Sequence, residues 1–165
     1  METREYLGID PLLGEFRNHL RITSHDLDGE LMGKLKSAVL SAEHEISSVI
    51  ALSKFTLGRA FSESIQLRWP VNEVTSVKVD GTEVPAESYS ISSDEVIHFD
   101  ESVTGSRVEV VYTAGLIEIP DDIKAAVFLL GGGLFNNPTD HPEERDRTTA
   151  RNLLRPYRSW GMHNG

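Results

Sequence analysis

Six histidines, His19, His25, His44, His98, His141 and His163, have the chemistry to hold a metal or move a proton. A zinc-type site on a helix needs two of them one turn apart, as in His-x-x-x-His or His-Glu-x-x-His, and neither spacing occurs. His44 lies between Glu43 and Glu45, but adjacent residues on a helix point in different directions. There are no cysteines, which removes thiol nucleophiles, thiolate metal sites and disulfides together. No serine stands in a Gly-x-Ser-x-Gly elbow. Gly131-Gly132-Gly133 is not followed by Gly-Lys-Ser/Thr and is no phosphate loop. Asp121-Asp122 offers a carboxylate pair, but its place directly after Pro120 fits stabilisation of a helix N-terminus. These residue types predict no catalytic residue, no metal site, no cofactor and no enzyme.

One constellation remains. Arg147, Arg151 and Arg155 stand four apart, on one helical face, with Arg158 close by. They could grip an acidic partner or DNA phosphates, or form a solvated face paired with Glu143, Glu144 and Asp146. Tyr157 and Trp160 stand beside them and are anchors of the kind that dominate interfaces. Arg147, Arg151, Arg155, Tyr157, Arg158 and Trp160 are therefore the candidate partner-binding residues. They lie in a segment, Glu143 to Trp160, whose few apolar residues, Leu153 and Leu154, promise only a weak hold on its own domain.

The elements that must position this segment can be read from pattern. A chain of 165 residues fits one domain, or one domain with an inserted module. No stretch approaches the roughly 18 apolar residues of a membrane span. Met1 to Asp10 carries both charge signs and no apolar run, unlike a signal peptide. The formal charge of −10 is concentrated: residues 62–123 hold thirteen acids against three bases. Such a segment is unsuited to neutralising phosphates and can simply keep a β module soluble.

Residues 1–13 read as a loosely attached, flexible leader. Gly14 to Ile22 predicts a short helix, and Thr23 to Asp26 a break with an N-cap. From Leu27 to Leu52 apolar residues recur every three or four positions, predicting one long helix. From Ser64 the period falls to two, and Asp80-Gly81 marks a hairpin. A further strand pair is expected from Tyr89 to Ile91 and from Val96 to Phe99. The strand Val108 to Thr113 runs into Ala114-Gly115, and Pro120 opens a helix to about Phe135. Within it Gly131-Gly132-Gly133 should fray, kink or end the helix, or let another backbone approach closely. A loop at residues 136–142 precedes a last helix from Glu143 to about Tyr157. The expected fold is mainly α with an inserted small antiparallel β module: a bundle of about four helices. Its single domain spans residues 14–158, with a helical core at 14–58 and 119–158, a β insertion at 63–113 and a flexible tail at 159–165.

Several stretches, in this order, resemble one family. They are Phe16-Arg17-Asn18-His19-Leu20-Arg21-Ile22, Leu67-Arg68-Trp69-Pro70-Val71, Val74-Thr75-Ser76-Val77, Tyr112-Thr113-Ala114-Gly115, Ile119-Pro120-Asp121-Asp122-Ile123-Lys124 and Leu153-Leu154-Arg155-Pro156-Tyr157-Arg158. The family is the head–tail connector (adaptor) proteins of tailed bacteriophages and prophages, and the similarity covers roughly residues 14–158. The chain departs from it at Gly131-Gly132-Gly133, where family members carry bulkier residues. The resemblance implies a structural, non-enzymatic subunit that forms a homo-oligomeric ring on the portal vertex. The ring extends the DNA channel and docks the tail or stopper protein. The implied partners are the portal protein, the tail or stopper protein and further copies of the chain, with no membrane. The implied location is the head–tail interface of the virion, and the host cytoplasm during assembly. Double-stranded DNA is expected to pass through the ring without tight binding, given the charge. The rival reading is a small α+β protein- or ligand-binding module with no virion role.

Overall fold

The computed structural model describes residues 1–137 and 143–161. Strand β1 (Glu2–Tyr6) leads into α1 (Asp10–His19) and the long α2 (Asp28–Ile46). Strands β2 (Ser53–Ala60), β3 (Ser64–Gln66), β4 (Val71–Val79), β5 (Thr82–Glu83), β6 (Tyr89–Ile91), β7 (Val96–Phe99) and β8 (Arg107–Ala114) follow. Helices α3 (Asp121–Asn136) and α4 (Glu144–Leu154) come last, and a 3-10 turn (Arg155–Gly161) succeeds α4.

The strands form two antiparallel sheets. One has five strands in the order β1-β2-β8-β4-β5, the other three in the order β3-β7-β6. Along β8, Val108, Val110, Tyr112 and Ala114 alternate inward, as one-sided burial of an antiparallel strand requires. Phe55 stands opposite Tyr112, and Val77 opposite Val110. Ile65 and Ile97 pair in the small sheet and are fully buried against this face. The result is a β sandwich with a core of its own. A second core holds the helices together, centred on Phe16, Leu31, Leu35, Val39, Ile46, Ile123 and Leu154.

The expectation of a mainly α chain with a β insertion is therefore wrong: the protein is α+β, with eight strands and four α-helices among the described residues. The error has a local cause. Helix α2 stops at Ile46 because Ser47 turns left-handed (φ 55°, ψ 37°). Val49, Ile50 and Ala51 are nevertheless buried, so their apolar character imitates a continuing helical stripe. Beyond them Ser53–Ala60, of which residues 53–58 fall in the expected helical core, is a strand paired along its whole length with β8. Residues 1–13, read as a loose leader, supply β1, which pairs with residues 53–57, and the start of α1.

The three glycines neither end nor break α3, which runs on to Asn136. They allow close packing instead. A Cβ on Gly131 would come within 2.8 Å of the Phe16 ring, and one on Gly132 within 3.4 Å of Leu20. The hairpin at Asp80-Gly81 forms as expected, with positive φ at both residues (48° and 83°). The last helix is shorter than expected, ending at Leu154. Of the expected loop and tail, residues 138–142 and 162–165 lie outside the described residues.

Candidate partner-binding surface

Helix α4 has Glu144 and Asp146 in its first turn and Arg151 in its last, the order that suits the helix dipole. Its hold on the domain is firmer than its composition suggests. Ala150 and Leu154 are each only 1% exposed within the helical core, and Leu153 and Tyr157 pack partly buried against it. This inward face turns Arg147, Arg151 and Arg155 to solvent.

The six candidates divide. Arg151 Nε stands 3.7 Å from Glu45 Oε2, and Arg158 Nη2 donates to Glu45 Oε1. Two of the arginines thus converge on a carboxylate of α2, rather than on the acids of their own helix. Tyr157 belongs to the helical core's margin. Arg147 and Arg155 are exposed, with no ion-pair partner among the described residues. The Trp160 side chain lies outside the described residues. Glu45 was missed in the sequence because it reads as a solvent position on α2. Its partner Arg158 is 113 residues away, and no local signal joins them.

A polar seam joins the two cores. Arg4, on β1, meets Glu43, on α2, through two bonds: Nη1 to Oε2 at 2.6 Å and Nη2 to Oε1 at 2.8 Å. Glu43 Oε1 also accepts from the N–H groups of Ile50 (2.8 Å) and Ala51 (3.3 Å). The Arg4 guanidinium lies 4.1 Å from the centre of the Tyr6 ring. Further along, Arg68 Nη2 stands 2.7 Å from Glu2 Oε2, and this hydrogen-bonded partner favours the charged guanidinium. The Tyr112 hydroxyl donates to Glu2 Oε1 at 3.2 Å and accepts from the Arg68 N–H at 3.3 Å. Burial pushes the Tyr112 hydroxyl well above the ordinary tyrosine range, and the nearby Glu2 carboxylate adds to it.

Beside this seam a groove of about 830 Å³ opens between the end of α2 and the segment Leu67–Trp69. The strand-to-helix junction is fixed by Gly115, at φ 132°, where a Cβ would lie 2.7 Å from Leu52 Cα. The Gly115 N–H donates to Pro70 O and the Leu116 N–H to Ile50 O. Among the described residues no group of three or more His, Asp or Glu is placed to hold a metal ion. None of the described helices is long and apolar enough to cross a membrane.

An α+β chain with a basic helix face docked beside two joined cores matches the family model for head completion proteins over residues 13–132. The chain belongs to the head completion protein family, and the resemblance to phage head–tail connectors holds. No curated protein matches it significantly in sequence. Among solved structures it is similar to a chain in the neck of an empty gene transfer agent particle computed with C6 symmetry. The TM-score is 0.68 at 22% identity, covering 94% of this chain and 95% of that one. A chain in the neck of the native particle, computed with C12 symmetry, gives 0.67 at 22%, covering 94% of each. A chain in the virion of the native particle gives 0.68 at 24%, covering 94% and 95%. At these identities the likeness is one of fold.

Proposed function

We propose that this chain is a structural, non-enzymatic subunit of the head–tail neck of a phage or phage-like particle. It forms a ring of identical copies on the portal vertex, prolongs the DNA channel and offers a docking surface to the tail or stopper protein. The observation that carries this reading is membership of the head completion family over residues 13–132. Support comes from the shared fold with neck chains of gene transfer agent particles, whose necks were computed with C6 and C12 symmetry. The single domain expected at residues 14–158, together with β1 (Glu2–Tyr6) that ties its helical and β parts, is the unit that repeats.

The terminal segment carries the contact with the portal. Arg147 and Arg155 present directional donors from a helix anchored by Ala150 and Leu154, and Tyr157 and Trp160 are the proposed apolar anchors. Duplex DNA passes through the ring without being gripped. The protein is assembled in the host cytoplasm and resides at the head–tail interface. Mass measurement of the complex with purified portal tests this reading. Many copies per portal are expected, and one bound copy would contradict it.

A further inference from the structure

We propose that the Ile117-Glu118 link of one copy seats in the groove between α2 and Leu67–Trp69 of the next copy, an inference that rests on the ring reading above. A closed ring is built from one interface repeated head to tail, so each chain must carry two different, complementary patches. The link supplies a projecting one. Ile117 is 84% exposed, more than any other described large hydrophobic side chain except Met1. Its backbone is fixed on both sides: Gly115 and Leu116 donate to Pro70 O (2.9 Å) and Ile50 O (3.1 Å), and Pro120 opens α3. A side chain presented on fixed backbone has little ordering entropy left to lose on binding.

The groove supplies the receiving patch. Leu40, 51% exposed, lines it together with Val49, Leu67 and Trp69. An acid on the link would find one guanidinium, that of Arg68, at the groove's rim. Glu118 is exposed and has no ion-pair partner among the described residues. The groove's own carboxylate, Glu43, is already matched by Arg4. His44, exposed, and Arg68, shared with Glu2, stand at the rim to receive an acid. The knob and the groove share no residue, as a head-to-tail contact requires.

The absence of cysteine makes the test clean. Leu40→Cys and Ile117→Cys, combined in one chain, are assembled with portal and oxidised mildly. A ladder of cross-linked chains beyond the dimer is expected, with each single variant staying monomeric. Wild-type rings counted by mass, alongside a double variant that gives no ladder, overturn this interface and leave the ring reading standing. A single wild-type copy per portal overturns both. Cross-linking of Leu40→Cys to a portal or tail chain in place of the ladder assigns the groove to that partner and overturns the proposal. As a second measure, Ile117→Asp should weaken ring formation about tenfold or more with urea unfolding unchanged. Normal assembly of that variant counts against the interface.

Discussion

Arg4 and Glu43 face each other across the boundary between the β sandwich and the helical layer, joined by two bonds of 2.6 and 2.8 Å. Glu43 also holds the turn after α2, through Ile50 and Ala51. Glu43→Ala takes the carboxylate from the Arg4 guanidinium, which keeps only Ser53 Oγ and Ala51 O, and leaves two buried N–H groups without that acceptor, so a loss of about 3 kcal/mol is expected. Arg4→Ala should cost less, because Glu43 keeps its two backbone donors. Glu43→Gln, which keeps an acceptor but not the charge, should fall between them. Urea unfolding followed by circular dichroism checks the order.

Neighbouring glycines of α3 should respond oppositely. Gly131→Ala forces a methyl to within 2.8 Å of the Phe16 ring, and overpacking of that kind costs about 1–3 kcal/mol. Gly132→Ala meets Leu20 at an ordinary 3.4 Å, so the helix-propensity gain of up to about 1 kcal/mol should prevail. Equal shifts in the two thermal midpoints would contradict the packing described for α1 against α3.

The protein should lose stability in alkali. Tyr112 has its pKa raised above the ordinary 10.0 by burial, and Tyr6 is raised for the same reason. Both stay protonated in the fold while the unfolded chain releases their protons from about pH 10. Stability is therefore fully present below that pH and declines as pH rises beyond it. Tyr112→Phe loses about 1 kcal/mol at neutral pH with its bond to Glu2, yet should show a shallower decline in alkali, with the Tyr6 part remaining. An unchanged slope would show that Tyr112 already ionises in the native protein.

On the terminal surface, Arg147→Ala with Arg155→Ala should weaken portal binding about tenfold and change stability by no more than about 0.5 kcal/mol, as for exposed substitutions generally. Removing the whole segment is a poorer test, since Ala150 and Leu154 help close the helical core. Unaltered binding by the double variant would remove these arginines from the interface.

Duplex DNA should bind weakly. The formal charge is −10, and two of the terminal arginines are engaged with Glu45. Tight non-specific binding needs several phosphates neutralised at once, with affinity falling steeply as salt rises. A titration near physiological salt that gives submicromolar, salt-sensitive affinity would reveal a phosphate-gripping face.

What the sequence made legible was what short stretches decide alone. Asp80-Gly81 demanded its hairpin, because positive φ at both positions suits little else. Gly115 and Pro120 marked the strand-to-helix junction for equally local reasons. The connector likeness rested on the same kind of short stretch. The end of α2 was hidden because Val49, Ile50 and Ala51 are buried for a tertiary reason while keeping helical spacing. Strand β1 was hidden because its partners are about fifty residues away. At the candidate surface the arginine spacing was visible, but Glu45 could be found only once α2 and the terminal turn were side by side.

The pairing of β1 also governs the order in which the chain can fold. Glu2 bonds to a hydroxyl 110 residues later, and the main-chain bonds of β1 wait for residues 53–57. Helix α2 can begin to form from its own local bonds, whereas β1 has nothing to pair with until β2 exists, and Glu2 has no Tyr112 hydroxyl until β8 does. During synthesis, at about 5–20 residues per second, this stretch therefore spends several seconds without its partners. In refolding, closure of the Arg4–Glu43 pair should follow the main barrier. Substitutions there should speed unfolding while leaving the folding rate nearly untouched, so that β1 acts as a late latch on a structure already assembled behind it.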